Sequence, residues 1–208
     1  MAREIGAWCK ICRREREKLF LRGRRCFTEK CSFIRRGFPP GMHGREGRRR
    51  LTAYGVQLRE KQKVRAIYGI LERQFQHYFA IAEKRGNPGE NLLLLLERRL
   101  DNVLYLLGFA SSRAMARQFV RHGHVIVNNK KIDIPSYSVK INDEITVKQS
   151  LRSNPCVVES LESKDQTVVP SWLMLDREKF IGKVVRLPKR EDITIPIQEQ
   201  LIVELYSK

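Results

Sequence analysis

Apolar residues recur at helical spacing through the middle of the chain. The clearest stripe predicts a helix over about residues 91–107, and its members are Leu96, Leu100, Val103, Leu104 and Leu107. Weaker patterns predict two earlier helices, over residues 54–68 and 71–85, and Asn87-Pro88-Gly89 would break the chain before the third. These patterns indicate a largely helical region over residues 54–107.

The period of the apolar pattern changes to two at His124. Just before it, Ser111 or Ser112 would cap a short helix that Gly123 would end. Residues 124–127 and 131–134 then predict two strands joined by a turn at Asn128-Asn129-Lys130, and residues 143–148 predict a third. Helices followed by small strands indicate a compact α+β module, and residues 199–205 predict one more helix.

Charge adds a functional expectation to this pattern. Lys and Arg number 41 against 23 Asp and Glu, so the formal net charge is +18. Residues 1–50 carry 16 basic and 5 acidic side chains, residues 51–150 carry 16 and 9, and residues 151–208 carry 9 of each. A one-signed excess points to a polyanionic partner, of which nucleic acid is the abundant one. We expect it to bind the first three-quarters of the chain, while the neutral tail packs on the body or contacts another protein.

The sequence offers no segment that would enter a membrane. Its longest unbroken aliphatic run, Leu92–Leu96, is far shorter than the ~20 residues that a membrane helix needs. The N-terminus, Met1–Lys10, lacks the apolar core of a signal peptide. We therefore expect a soluble intracellular protein.

Four of the five cysteines form two close pairs. Cys9, Cys12, Cys26 and Cys31 have the spacing C-x2-C-x13-C-x4-C, which lets four thiolates surround one Zn²⁺ ion in a closed, structural site. Two disulfides are the main alternative and are disfavoured in a reducing compartment, and an iron–sulfur cluster also fits four cysteines. We predict one zinc ion, which would order this basic segment. Cys156 stands alone and is expected to be an ordinary buried or half-buried thiol.

Basic residues recur every four positions in the short helix after Ser112. Arg113, Arg117 and Arg121 would share one face, opposite an aliphatic face. At about 1.5 Å per residue, successive arginines lie ~6 Å apart, close to the ~6–7 Å between phosphates along one strand. A merely solvated helix usually alternates charge sign, yet no acidic residue lies between Ser111 and Asn129. The row is therefore predicted to grip phosphates.

A second basic segment is a loop. Residues Gly37–Arg50 contain four Gly and two Pro, both of which disfavour a helix interior. Exposed backbone N–H groups and arginines suit phosphate contact, and the arginines are Arg45, Arg48, Arg49 and Arg50. His43 in this loop either contacts RNA or is a surface histidine, and the second interpretation is slightly favoured.

Several short motifs resemble the S4 RNA-binding module. They are Arg99-Leu100-Asp101-Asn102-Val103, Leu107-Gly108-Phe109-Ala110-Ser111-Ser112-Arg113, Ala116-Arg117-Gln118 and His122-Gly123-His124. Flanking motifs narrow the resemblance to the bacterial-type small-subunit ribosomal protein S4 family: Pro39-Pro40-Gly41-Met42-His43-Gly44, Arg59-Glu60-Lys61-Gln62-Lys63, Tyr68-Gly69 and Glu199-Gln200-Leu201-Ile202-Val203-Glu204. The four cysteines match the zinc-bearing version, and the resemblance covers essentially the whole chain.

The resemblance implies an α+β fold. A helical domain with an N-terminal zinc knuckle would be interrupted by a small α+β S4 RNA-binding module. The expected boundaries are residues 1–45 for the zinc-binding region and 98–170 for the module with its connection. Residues 46–97 would form the helical domain, completed by 171–208.

The resemblance also implies a function. Members of the family bind 16S rRNA directly at a junction of helices in its 5′ domain and nucleate assembly of the small subunit. They lie beside neighbouring small-subunit proteins near the path by which mRNA enters, and they support decoding accuracy. The expected location is the cytoplasmic ribosome. The residues expected to bind RNA are Ser112, Arg113, Arg117, Arg121, His124 and Lys131 in the module, Arg45, Arg48, Arg49 and Arg50 in the loop, and Arg59, Lys61 and Lys63 after the loop.

Three positions depart from the family pattern. Asn129 in the hairpin turn and Asn142 before the last strand stand where the family usually has glycine. Asparagine adopts the left-handed conformation readily, so the expected fold is unchanged. Leu106 stands where the family commonly has a basic residue, so a contact at that position is not expected.

Two other classes of protein share parts of this sequence pattern. An RNA-modifying enzyme such as a pseudouridine synthase, or an RNA chaperone, could use the same module. A catalytic domain needs roughly 100–200 residues, whereas 60 follow Lys148 and carry no legible catalytic constellation. A zinc-finger DNA regulator would need a histidine and helix spacing that is absent. The sequence therefore favours a non-enzymatic RNA-binding protein.

Overall fold

The described part of the computed structural model comprises residues 6–45, 51–84, 86–163 and 169–207. The chain divides into two units, one made of Met1–Leu92 with Ile195–Lys208 and the other of Leu93–Thr194. None of the described helices is both long and apolar enough to span a membrane.

Helices form the first unit. They are α1 (Trp8–Glu15), α2 (Ser32–Arg35), α3 (Ala53–Tyr68), α4 (Glu72–Glu83) and α10 (Glu199–Tyr206), with single 3₁₀ turns at Gly23–Phe27 and Met42–Gly44. The three helices expected over 54–68, 71–85 and 199–205 are thereby confirmed. The helix α5 (Pro88–Glu97) begins in this unit and ends in the second.

Both ends of α3 carry residues that favour a helix boundary. The Oγ1 of Thr52 accepts the N–H of Gly55 at 3.2 Å, and Gly69 ends the helix with φ 62°, which glycine adopts without strain. On its apolar side α3 packs against α10. Tyr206 of α10 also stacks on Phe79 of α4, with ring centroids 4.4 Å apart. The C-terminal residues therefore complete the core of the first unit.

The second unit combines helices with one sheet. After α5 come α6 (Leu100–Leu107), α7 (Arg113–Arg121), β1 (Val125–Val127), β2 (Lys130–Lys131), β3 (Glu144–Val147), α8 (Gln149–Arg152), α9 (Pro155–Ser163), β4 (Leu173–Asp176) and β5 (Ile181–Val184). The strand order is β2-β1-β3-β5-β4, and every neighbouring pair is antiparallel. The apolar faces of α6 and α7 and the sheet share one core.

The asparagine substitutions behave as expected. Asn128 and Asn129 in the β1–β2 turn have φ of 47° and 63°, and Asn142 before β3 has φ 66°. Asn128 also bridges the two ends of this region, because its Nδ2 donates to Asp143 Oδ1 at 2.8 Å and its Oδ1 accepts the N–H of Glu144 at 2.9 Å. Asparagine thus adopts the left-handed conformation at both positions where the family has glycine, and the neighbouring Asn128 joins the turn to the start of β3.

The single helix predicted over residues 91–107 is wrong. The chain leaves the helical conformation at Arg99, whose φ and ψ are −69° and 137°, so α5 ends and α6 begins there. Residues 135–139 satisfy the backbone at the break: Leu100 N–H donates to Tyr137 O at 2.9 Å, and Val139 N–H donates to Arg98 O at 2.9 Å. The apolar stripe continues across the break, which is why periodicity alone did not reveal it.

The segment 171–208, expected to complete the helical domain, is divided between the two units. Residues 195–208 lie with the first unit, whereas β4 and β5 add a hairpin to the sheet of the second. Burial explains the division, because Trp172 and Val184 are 1% and 0% exposed within the second core. Between β3 and β4 the described residues form the two short helices α8 and α9.

A bidentate ion pair closes the end of the second unit. Arg186 donates from Nη1 to Asp192 Oδ2 and from Nη2 to Asp192 Oδ1, both at 2.7 Å. Asp192 also accepts the backbone N–H of Lys189 at 2.7 Å. The Arg186 guanidinium, helped by these hydrogen bonds, lowers the pKa of Asp192 to about 2.

This pair makes stability depend on pH. The folded pKa of Asp192 lies below the ~3.9 of an unfolded aspartate, so its contribution is present above about pH 4 and is lost as the pH falls toward 2. Replacing Arg186 with Gln should lower the free energy of unfolding at pH 6, and the deficit should shrink steadily between pH 4 and pH 2.5. Urea unfolding followed by tryptophan fluorescence measures both. Lys179→Gln, which disturbs only an exposed 3.7 Å pair with Asp176, is the matched control. A deficit that does not change with pH would contradict this account.

Candidate nucleic-acid interface

Ser112 serves as the N-cap of α7. Its Oγ accepts the N–H of Met115 at 3.3 Å, and the residue is buried. The predicted cap is therefore confirmed at Ser112, and this hydroxyl is turned toward its own helix. Its predicted contact with RNA stays a prediction.

Arg113 is held in place by two neighbours on α6. Its Nε donates to Asn102 Oδ1 at 2.7 Å, and its guanidinium carbon lies 4.5 Å from the centroid of the Tyr105 ring. Asn102 is itself fixed, because its Nδ2 donates to the backbone O and to Oε2 of Glu97 at 3.0 and 2.7 Å. The half-buried Arg113 is thus a cation of fixed direction at the start of α7.

Arg117 does not belong to a solvent-facing row. It is 8% exposed, and its Nη1 donates to Asp101 Oδ2 at 3.4 Å. Asp101 is buried too and accepts two further hydrogen bonds from Arg99, at 3.0 and 2.7 Å. Burial lowers the pKa of Arg117, and Asp101 opposes that shift. The three arginines predicted to share one phosphate-binding face therefore do not all face solvent, because Arg117 is a core residue.

The end of α7 and the β1–β2 hairpin present a compact basic surface. We define the α7–hairpin surface as Arg121, His122, His124 and Lys131. Arg121, His122 and Lys131 are exposed, His124 is half-buried, and the two histidine rings lie 6.1 Å apart. Gly123, at φ 69°, lets Lys131 cross closely, since a Cβ there would lie 2.1 Å from Lys131 Cε. Of the predicted residues in the module, Arg121, His124 and Lys131 are brought together here.

The predicted cations on α3 are engaged within the first unit. Lys61 donates to Glu72 Oε1 at 2.5 Å, and Lys63 donates to the Pro196 carbonyl at 2.9 Å and pairs with Glu60 at 2.9 Å. Both lysines are 9% exposed. The charges of Lys61 and Lys63 therefore hold α3 to its neighbours, and the structure does not present them to solvent.

A basic groove in the first unit was missed by the sequence reasoning. It has a volume of about 310 Å³ and lies between α1 and α3, and its cations are Lys10, Arg14, Arg59 and Arg65. Glu15 lies among them and accepts from Arg59 Nη1 at 3.0 Å. Burial raises the pKa of Glu15, and Arg59 and Arg14 oppose that shift. Of the α3 cations predicted to bind RNA, Arg59 is the one that lines this groove.

The glycine-rich loop is anchored through Phe38. The guanidinium carbons of Arg13 and Arg45 lie 5.1 and 5.0 Å from its ring centroid, and Arg13 Nε donates to the Phe38 carbonyl at 3.0 Å. Arg45 remains exposed beside the ring. The other predicted loop arginines, Arg48, Arg49 and Arg50, lie outside the described residues.

The four paired cysteines lie close enough to influence one another. Cys12, Cys26 and Cys31 are buried, Cys9 is half-buried, and all are free thiols. Cys156 is a free thiol too, but it is exposed, so the prediction that it is buried or half-buried is wrong. Burial raises the pKa of Cys12, and Cys26, Cys9 and Cys31 raise it further, while an N–H of Leu19 opposes this. Cys26 Sγ accepts the N–H of Arg22 at 3.3 Å. Within the described ranges, no three His, Cys, Asp or Glu side chains are arranged as metal ligands.

The burial of Arg117 generates a stability prediction. Replacing it with Gln removes one of two guanidinium partners from a buried carboxylate, which should cost ~1–3 kcal/mol of unfolding free energy. Replacing the exposed Arg121 at the end of the same helix should change stability by less than ~0.5 kcal/mol. Chemical denaturation of both variants measures the difference. Equal stabilities would show that Arg117 is not needed for the core.

Two family models match consecutive stretches of the chain, which together cover residues 3–145. The model described as "Ribosomal protein S4/S9 N-terminal domain" matches residues 3–97, and the S4 domain matches residues 98–145. The second match spans α6, α7, β1 and β2 and therefore contains the α7–hairpin surface.

Curated relatives agree over their whole length. The chain is 58% identical to small ribosomal subunit protein uS4 of Geotalea uraniireducens, 56% identical to that of Pelobacter propionicus and 57% identical to that of Caldicellulosiruptor saccharolyticus. In each comparison the alignment covers 100% of both chains. With both domain models matched and full-length identity above half, the chain belongs to the uS4 family of small ribosomal subunit proteins.

Proposed function

We propose that this protein is a structural, non-enzymatic component of the small ribosomal subunit that binds 16S rRNA. The observation that carries the proposal is the full-length identity of 56–58% to proteins named small ribosomal subunit protein uS4. The net charge of +18 and the match of an S4 domain to residues 98–145 support it independently.

The α7–hairpin surface suits the backbone of folded RNA. Arg121 and Lys131 supply exposed positive charge, and Arg113 adds a cation whose direction Asn102 and Tyr105 fix. Phosphate contacts of this kind position a protein on RNA without reading its sequence. Specificity would then follow from the shape of the RNA that can reach Arg113, Arg121 and Lys131 together.

We further propose the cellular setting that the family resemblance implies. The protein would bind the 5′ domain of 16S rRNA early in assembly and stay in the cytoplasmic ribosome. It would lie beside neighbouring small-subunit proteins near the path by which mRNA enters, and there support decoding accuracy. The neutral C-terminal part of the chain is suited to protein contacts, because residues 151–208 carry equal numbers of acidic and basic side chains.

Salt dependence tests the RNA-binding proposal. The native protein should bind a 16S rRNA 5′-domain transcript more tightly than duplex DNA in filter binding at equal salt. Arg121→Gln and Lys131→Gln should each weaken binding and flatten the plot of log affinity against log salt by roughly 0.7–0.9, because each removes one phosphate contact. Lys179→Gln, at a 72% exposed position in the β4–β5 turn, is the control. Equal affinity for rRNA and duplex DNA would overturn the proposal.

We also propose that Cys9, Cys12, Cys26 and Cys31 hold one structural zinc ion. The donor chemistry fits, because four free cysteine thiols in two close pairs are the ligand set of a closed zinc site. Backbone N–H groups of Leu19 and Arg22 already point at two of the sulfurs, as outer hydrogen bonds to ligating thiolates do. The thiols would have to close around the ion to complete the site. The ion would order this segment and supply no catalysis.

Metal analysis of purified protein tests the zinc proposal. Protein prepared under reducing conditions should contain one zinc per chain, Cys156→Ser should keep it, and Cys9→Ser should lose it. Cys9 is the half-buried member of the set, so its loss of metal would be separable from a packing defect. Metal-free native protein, or iron in place of zinc, would contradict the proposal.

A further inference from the structure

Two phenylalanine rings lie together on the surface of the first unit. Phe27 is 70% exposed and Phe20 is 39% exposed, and their ring centroids are 5.1 Å apart with an angle of 31° between the planes. Aromatic rings left in water are unfavourable unless something covers them, so this pair is a candidate binding surface.

The backbone at Phe20 adopts a strained conformation, and the ring of this residue lies at the surface. Phe20 has φ 52°, in the left-handed region that bulky residues rarely adopt. Its two neighbours, Leu19 and Leu21, are 6% and 7% exposed, and Cys26 beside Phe27 is buried. The chain therefore buries both neighbours of Phe20, and Cys26 before Phe27, while the two aromatic rings are exposed. Strain of this kind is typical of functional positions.

The charge around the rings is almost entirely positive. Lys18 Nζ lies 5.1 Å from the Phe20 centroid and 5.9 Å from the Phe27 centroid. Between Lys18 and Lys30 there are three further cations and one acid, and the exposed cations are Arg22, Arg24 and Arg25. The cations around the two phenylalanines would not favour an apolar protein partner. A nucleotide suits this surface better, because it presents a flat base and an anionic phosphate together.

We propose that Phe20 and Phe27 form a stacking platform for one unpaired base of the RNA, with Lys18 and the neighbouring arginines on its phosphates. The assignment rests on the proposed binding of rRNA and adds a contact of a different kind. Stacking on an aromatic ring tolerates any base and depends little on salt, because it neutralises no phosphate. The platform would therefore complement the phosphate contacts of the α7–hairpin surface.

Filter binding of the full-length protein to the 16S rRNA transcript at several salt concentrations tests the platform. The double variant Phe20→Leu/Phe27→Leu keeps apolar volume but removes both π faces, and it should bind about 5- to 100-fold more weakly with an unchanged salt slope. Phe27→Trp should keep its affinity to within about twofold, because indole also stacks. Ile34→Ala, at a 57% exposed apolar position in α2, is the matched control and should bind as the native protein does.

A second measurement needs no variant. Ultraviolet irradiation of the native complex should join a nucleotide to a peptide containing Phe20 or Phe27, identified by mass spectrometry. Unchanged affinity of the double Leu variant, a loss of affinity accompanied by a flatter salt slope, or the absence of that crosslink would each overturn the platform. If the native protein prefers rRNA no more than duplex DNA, the proposed function fails first, so the two failures are distinguishable.

Discussion

The second unit depends on one buried carboxylate. Asp101 is 3% exposed and accepts hydrogen bonds from Arg99, from Arg117 and from the N–H of Asn102. A carboxylate taken out of water is costly unless opposite charge and hydrogen bonds surround it, and here two guanidinium groups do so. The same carboxylate thus holds Arg99, the N-cap residue of α6, and Arg117 in the middle of α7. Arg117 is thereby held in the core, whereas Arg121 at the end of the same helix is exposed.

The first unit sorts its charges by the same physics. Glu60 and Glu72 pair with Lys63 and Lys61, and Glu15 pairs with Arg59. These acids are drawn toward buried or half-buried cations, where pairing removes the cost of burying a charge. Acids used inward cannot neutralise the outer surface. A chain with a net charge of +18 therefore folds through ion pairs and still presents a positive field to a polyanion.

Local pattern predicted the elements whose signals are local. The bounds of α3 and α10, the Ser112 cap and the left-handed asparagines follow from a few adjacent residues. The fate of Arg117 depends instead on Asp101, sixteen positions earlier and on another helix. A helical projection identifies the face on which a side chain lies, but it does not show which residue of another helix meets that face. The ion pairs of Lys61 and Lys63 within the first unit were missed for the same reason. The β4–β5 hairpin was missed too, because its short strands join the core through only a few residues, such as Leu173 and Val184.

The cations that remain at the surface differ in the entropy that RNA binding would cost them. Arg113 already has one direction, because Glu97 orients Asn102, Asn102 accepts from Arg113, and Tyr105 lies under the guanidinium. A side chain fixed before binding loses little rotamer freedom when a phosphate arrives, whereas the exposed side chain of Lys131 would be ordered only at that moment. On the proposed RNA-binding surface the fixed Arg113 would therefore favour an RNA shape that fits it, whereas Lys131 would add attraction that tolerates several shapes. The N–H of Asn102 donates to Asp101, so the carboxylate at the centre of the second core also holds the residue that directs Arg113.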